Sequence, residues 1–298
     1  MTACIGFIGA GNMGFPMIEH LSAAGFTLQV FARRPQTKDK LKQLNIAICG
    51  SPQAAAQGAQ FILTNVTTTE DAEDVILGPQ GVIHSAAPDS AVIDMSTISA
   101  VATRQIAEQL RHRQIHMLDA PVSGGVKGAQ SATLSIMVGG KAEVLERCRP
   151  ILSRLGTTIT HIGDHGAGQI AKACNQIVQV INIAGIAEAM HFCKQFGVDP
   201  QKMLPAIAAG MAGSKMLDLM GPKMANRDFV AGIEARLHHK DLALVDHLIA
   251  DQHVTLPTLG TVLKQLDTLM EQGWGYDDTA SLLRVLELPS TDNNLPDK

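Results

Sequence analysis

The sequence predicts an α/β chain: a doubly wound, largely parallel sheet over residues 1–163, then an all-helical domain over residues 164–298. Three observations carry this. Short apolar runs alternate with longer helix-like segments through the first half. Several of these runs are apolar without alternation, as strands are when both faces are covered. Past the glycine-rich stretch "GDHGAGQ" (163–169) no strand pattern recurs and helical periodicity takes over.

The strands come in order as "CIGFIG" from Cys4, "LQVFA" from Leu28, "FILTNV" from Phe61, "AVIDMS" from Ala91, "HMLDAPV" from His116, "TLSIMVGG" from Thr133 and "TTITHIG" from Thr157. After the first, a helix is predicted to tolerate Pro16 in its opening turn and to end near Gly25, a good residue just past a helix. Ser99–His112 and Lys141–Leu155 suit helices between later strands. The second half reads as helices over Gln169–Gln195, Pro200–Ala209, Glu234–Asp251, Pro257–Gln272 and Asp277–Leu286. At 1.5 Å per residue the first of these is roughly 40 Å long, enough to form the backbone of a helical domain. The polar tail "PSTDNNLPDK" is expected to fray.

Composition removes several function classes. Aromatic residues are 3% of the chain, too few to build stacking platforms for single-stranded nucleic acid. A net charge of −4 with no dense basic run argues further against a nucleic-acid partner. Five widely spaced cysteines, an odd number without C-x-x-C, point away from a disulfide framework and toward a reducing compartment. No signal-peptide pattern opens the chain, and no unbroken run of 18 apolar residues occurs, so a soluble, cytoplasmic protein with no membrane partner is expected. His238, His239, His247 and His253 lack an i,i+4 pair and a completing Cys or carboxylate, so no metal site is expected.

"GFIGAGNMG" places Gly9, Gly11 and Gly14 in G-x-G-x-x-G, with Ala10, Asn12 and Met13 between them. The motif follows a strand and opens a helix, the setting in which it binds a dinucleotide. Gly9 would permit the tight turn, Gly11 the approach of a pyrophosphate, and Gly14 close helix–sheet packing. An NAD site carries an acid near the end of the second strand to hold the ribose hydroxyls. Here Ala32 is followed by Arg33 and Arg34, two guanidiniums suited to a 2′-phosphate, which favours NADP over NAD. A solvated loop competes as a reading of that pair. Ligands of open α/β sheets sit at the carboxyl ends of strands, which here include Asn65-Val66-Thr67, Asp94-Met95-Ser96-Thr97 and Asp119-Ala120-Pro121-Val122-Ser123-Gly124-Gly125. A serine before two glycines would expose adjacent N–H groups to a carboxylate, and reads equally as a turn.

On the Gln169 helix, Lys172, Asn175, Gln176, Gln179 and Asn182 share one stripe. It holds a single cation, four amides and no acid. That suits a lysine facing a polar cleft as well as it suits plain surface. A cleft lysine can donate a proton to a carbonyl and stabilise a developing alkoxide. Lys240, in "RLHHKDL", is a candidate second cation.

Taken together, "GFIGAGNMG", "DMSTIS", "DAPVSGG", "GAGQIAKACNQ", "HHKDL" and "DDTASLL" resemble, in this order, the β-hydroxyacid dehydrogenase family, which includes 3-hydroxyisobutyrate dehydrogenases and tartronate semialdehyde reductases. The resemblance spans essentially the whole chain. It implies an N-terminal Rossmann-type domain, an all-α C-terminal substrate and oligomerisation domain, and an active site between them. It implies Lys172 as the catalytic general acid/base, and Ser123, Gly124 and Gly125 as binders of the substrate carboxylate. Thr97 and Lys240 would contact NADP or NAD near the nicotinamide. The place four residues after the lysine, often asparagine in the family, holds Gln176, with Asn175 before it. This pattern, like "AGMAGSK" (209–215), is similar to the tartronate semialdehyde reductase branch, and leaves the substrate contact open between Asn175 and Gln176. The expected reaction is hydride transfer between NAD(P) and a small 3-hydroxy acid or semialdehyde, in a homodimer or homotetramer. A non-catalytic cofactor-binding protein and a methyltransferase are the competing readings. Lys172 with Ser-Gly-Gly favours an enzyme, and the helical second half argues against the methyltransferase.

Overall fold

The computed structural model describes residues 3–250, 252 and 254–289; His253 and the tail from Ser290 lie outside them. The chain forms two units, Met1–Cys174 and Asn175–Lys298.

In the first unit the elements run β1 (Cys4–Ile8), α1 (Gly14–Ala23), β2 (Thr27–Phe31), α2 (Pro35–Gln43), β3 (Ala47–Cys49), α3 (Pro52–Ala56), β4 (Phe61–Thr64), α4 (Thr69–Leu77), β5 (Ala91–Asp94), α5 (Ala100–His112), β6 (His116–Asp119), β7 (Val122–Ser123), α6 (Gly125–Gln130), β8 (Leu134–Gly140), α7 (Ala142–Leu152) and β9 (Gly156–Gly163). The sheet order is β3-β2-β1-β4-β5-β6-β8-β7, with β9 paired to β8. The first six strands are parallel, and their order reverses between β1 and β4, where open α/β sheets bind ligands. β8 runs antiparallel to β6 and β7.

Neighbouring residues on one strand reach opposite cores, which is why the apolar runs do not alternate. Ile62, Val92 and Met117 enter one cluster with Ile76 and Ile106. Leu63, Ile93 and Leu118 enter the other, with Met17, Leu21 and Leu145. α1 ends where expected, with Gly25 at φ 86° just past its cap. Ser99 caps α5 by accepting the Ala102 amide.

The second unit is helical among the described residues. α8 (Ala167–Gln195) begins in the first unit and continues into this one, followed by α9 (Pro200–Ala208), α10 (Lys215–Ala225), α11 (Ala235–Ala250), α12 (Pro257–Glu271) and α13 (Leu282–Leu286). α8 has no unbroken run of 18 apolar residues, yet by length and average hydropathy it could cross a membrane. Its buried polar side chains are instead bonded to protein groups, as in a core helix: Lys172 to Val122 and Gln176 to Asp241.

Two of the segments read from sequence take a different form. The "DAPVSGG" segment is neither one strand nor a simple turn: after β6 it forms β7, then α6 starts directly at Gly125. Residues 277–286 open with a 3-10 turn, Thr279–Ser281, because the Asp278 carboxylate accepts the Ala280 amide and tightens the backbone there.

Candidate active site

The glycine turn sits at the carboxyl end of β1, and each glycine answers to a different constraint. Gly9 has φ 102°, and a Cβ on it would run into the Asn65 carbonyl. A Cβ on Gly14 would meet the Gly9 carbonyl and lie 3.0 Å from the Phe7 ring. Gly11 has open space around its Cβ position. The first and third glycines are therefore required by the fold, and the middle one keeps room beside the backbone for a ligand.

That room belongs to a cavity of about 510 Å³. Gly9, Ala10, Gly11, Arg33, Arg34, Val66 and Thr67 all line it, so these sequence-predicted residues are brought together. Asn12 is exposed, and Met13 packs against the core. Thr37, Asp71 and Asp74 also line the cavity and had no sequence signal. The end of β2 carries no acid, but α4 delivers two carboxylates to the same cavity. Asp71 lies 3.5 Å from Arg33, whose side chain is 75% exposed. Such an exposed pair contributes roughly 1 kcal/mol at most, and a phosphate can displace it. A concave site with a glycine turn, open backbone and two guanidiniums fits a dinucleotide.

Behind this surface lies a buried polar layer. Asp94 ends β5, and its Oδ1 accepts from Thr64 Oγ1 at 2.8 Å and from Ser96 Oγ at 2.6 Å. Ser96 Oγ also accepts the Val66 amide at 2.9 Å, tying the β4 and β5 ends together. Burial pushes the Asp94 carboxyl up to about 6, despite those hydrogen bonds, and Asp119 on the adjacent strand adds to the rise. Asp119 accepts the amides of Gly166 at 2.9 Å and Gln169 at 3.1 Å. It thereby caps the first turn of α8, an arrangement that anchors the lysine helix to the sheet.

Lys172 is 7% exposed, and its Nζ donates to the Val122 carbonyl at 2.9 Å. The lysine therefore meets the residue directly before Ser123. Gly124 and Gly125 follow at φ 135° and 62°, in the left-handed region that favours glycine. Ser123 is half-buried and Gly124 exposed. Thr97 is half-buried in the loop after β5, between Ser96 and Ile98.

In the second unit, Gln176 is buried and its Nε2 donates to Asp241 Oδ2 at 2.6 Å. Asn175 Nδ2 donates to Gln176 Oε1 at 2.8 Å and to Gln179 Oε1 at 3.2 Å. Lys240 lies 2.9 Å from Asp241. The stripe of amides is thus a bonded network, not a wet face. "DDTASLL" also acquires a role: Asp278 accepts the Gly232 and Ile233 amides, and Thr279 Oγ1 bonds His238, fixing the start of α11.

Known proteins resemble the chain over nearly its full length. A model of the NAD binding domain of 6-phosphogluconate dehydrogenase matches residues 4–163. A model described as NAD-binding of NADP-dependent 3-hydroxyisobutyrate dehydrogenase matches residues 166–286. The chain is 36% identical to the 2-hydroxy-3-oxopropionate reductase of Escherichia coli, covering 95% of this chain and 97% of that one. It is also 36% identical to the 3-hydroxyisobutyrate dehydrogenase of Pseudomonas aeruginosa, covering 90% and 92%. A structure of Mycobacterium tuberculosis 3-hydroxyisobutyrate dehydrogenase with L-serine superposes with a TM-score of 0.88 at 31% identity, over 97% of this chain and all of that one. With relatives at this identity over nearly their full length, and family models matching both halves of the chain, the chain belongs to the β-hydroxyacid dehydrogenase family and is an NAD(P)-dependent oxidoreductase.

Proposed function

We propose that the protein reversibly reduces a small semialdehyde to its 3-hydroxy acid with NADPH, 2-hydroxy-3-oxopropionate (tartronate semialdehyde) being the first candidate substrate and the semialdehyde whose reduction yields 3-hydroxyisobutyrate the second. The observation that carries this reading is the hydrogen bond from Lys172 Nζ to the Val122 carbonyl. It holds the buried ammonium beside Ser123-Gly124-Gly125, so a proton donor and a carboxylate-binding segment lie together. The bound cofactor would supply or accept the hydride at nicotinamide C4. Ser123 Oγ and the glycine amides orient the carboxylate. Lys172 gives its proton to the carbonyl oxygen in reduction and takes it back in oxidation. Its positive charge stabilises the alkoxide that forms between.

The dinucleotide is carried by residues 1–163, with Gly9, Ala10, Gly11, Asn12, Met13 and Gly14 at the pyrophosphate turn. Val66, Thr67 and Thr97 line its course, and Lys240 is assigned to it on family likeness. Asn175 takes the substrate contact, since it is half-buried, whereas Gln176 is 4% exposed and turned to Asp241. Loss of substrate affinity in Gln176→Leu but not in Asn175→Ala would reverse that choice. Residues 164–298 carry substrate and subunit contacts in a cytoplasmic homodimer or homotetramer, an assembly that light scattering of a monomer would refute.

Arg33 and Arg34 select NADP. Replacing both with alanine should weaken NADPH binding at least about tenfold while changing NADH binding less than about threefold, as lost charge-assisted bonds to a phosphate predict. Equal losses for both cofactors would contradict the assignment. The function itself is tested by assaying a panel of semialdehydes and hydroxy acids with each cofactor. Highest kcat/KM on 2-hydroxy-3-oxopropionate with NADPH is expected, and no turnover of any β-hydroxy acid pair would refute it.

A further inference from the structure

Gln169 stands one turn before Lys172 on α8 and is 3% exposed. Its side-chain amide reaches across to the loop that follows β5. Nε2 donates to the Ser96 carbonyl at 2.9 Å, and Oε1 accepts the Ile98 amide at 3.2 Å. Thr97 is the residue between those two bonded groups. Past Asp94 the chain has left the sheet, so these buried backbone groups need partners that a neighbouring strand no longer provides. One glutamine satisfies both.

The clamp is held from both sides. Ser96 is fixed through Oγ to Asp94 and to the Val66 amide. The Gln169 backbone amide is fixed to Asp119 Oδ2 at 3.1 Å, at the end of β6. The Thr97 loop and the first turn of α8 are therefore joined through one side chain, with Lys172 three residues further on.

We infer that Gln169 is a positioning residue for the nicotinamide half of the cofactor: it fixes the Thr97 loop and sets that loop in register with Lys172. This rests on the proposed roles of Thr97 and Lys172. Only a residue with a donor and an acceptor on one planar group, at this length, makes both bonds. Glutamate keeps the length and the acceptor but loses the donor, and turns an oxygen toward the Ser96 carbonyl. Methionine keeps the bulk and loses both bonds.

The experiment measures binding to Gln169→Glu and Gln169→Met alongside the wild type, using NADPH and its fragment 2′-phospho-ADP-ribose, which lacks the nicotinamide. Circular dichroism melts confirm that each variant is folded. Each variant should bind NADPH about fivefold or more weakly, as loss of at least one hydrogen bond predicts, and bind the fragment within about twofold of wild type. kcat on the best substrate should fall in parallel, with the substrate KM little changed. A purely structural role would weaken both ligands alike, and that outcome, or unchanged NADPH binding, would overturn the inference. Wild-type protein that bound neither ligand would overturn the cofactor site itself, and this inference with it. A normal wild-type titration with unchanged variants overturns the role of Gln169 alone.

Discussion

Gly9 and Gly11 are the same residue in one turn, yet their substitution should have opposite consequences. Gly9 is at φ 102° with the Asn65 carbonyl where a Cβ would be, whereas Gly11 faces open space. Gly9→Ala should lower the unfolding free energy by about 2 kcal/mol or more, measured by denaturant melts, since both strain and a backbone clash are introduced. Gly11→Val should leave the melt within roughly 0.5 kcal/mol and abolish dinucleotide binding; a variant that still bound NADPH normally would show that the phosphates lie elsewhere. These glycines could be read from sequence because their spacing is itself the signal. The bonding roles of Asp71, Asp94 and Gln169 could not. A single polar residue in an apolar run, or on a helix, has no visible partner until the fold brings Arg33, Ser96 or Ile98 beside it.

Among the elements, β5 and β6 present the clearest physical tension. They end in Asp94 and Asp119, paired in register on adjacent strands and both buried. Burial raises both carboxyls, Asp94 to about 6 from an ordinary 3.8. A raised folded-state value means that the contribution of Asp94 is fully present below pH 3.8 and is lost as pH rises through 6. A rise of this size corresponds to on the order of 3 kcal/mol. Asp94→Asn cannot ionise, so its stability relative to wild type should climb between about pH 4 and about pH 6.5 and then level. Parallel stability profiles for the two proteins would exclude this account. The apolar strands and the capped helices were legible because composition and punctuation agree in each. β3 and α10 were not. β3 is three residues at the sheet edge, too short for a pattern, and α10 contains Gly221-Pro222, which reads as a break although the helix continues through it.

At the scale of the whole molecule, strand patterns stop near Gly163 in the sequence, while the two units divide inside α8, between Cys174 and Asn175. The order of motifs along the chain points to the family without any geometry. What sequence could not supply was adjacency. Lys172 and Val122 are 50 residues apart, and only the return of α8 to the end of the sheet makes them partners. The cap that Asp119 places on α8 is equally remote in sequence. The central claim is that this buried lysine moves the proton while the sheet holds the dinucleotide. Its most direct test is the single-turnover rate of Lys172→Ala, pre-loaded with NADPH, on the best substrate of the panel. The account predicts a loss of about a hundredfold to ten-thousandfold, with the NADPH dissociation constant within about twofold of wild type. A rate within a few-fold of wild type, at unchanged NADPH affinity, would contradict it.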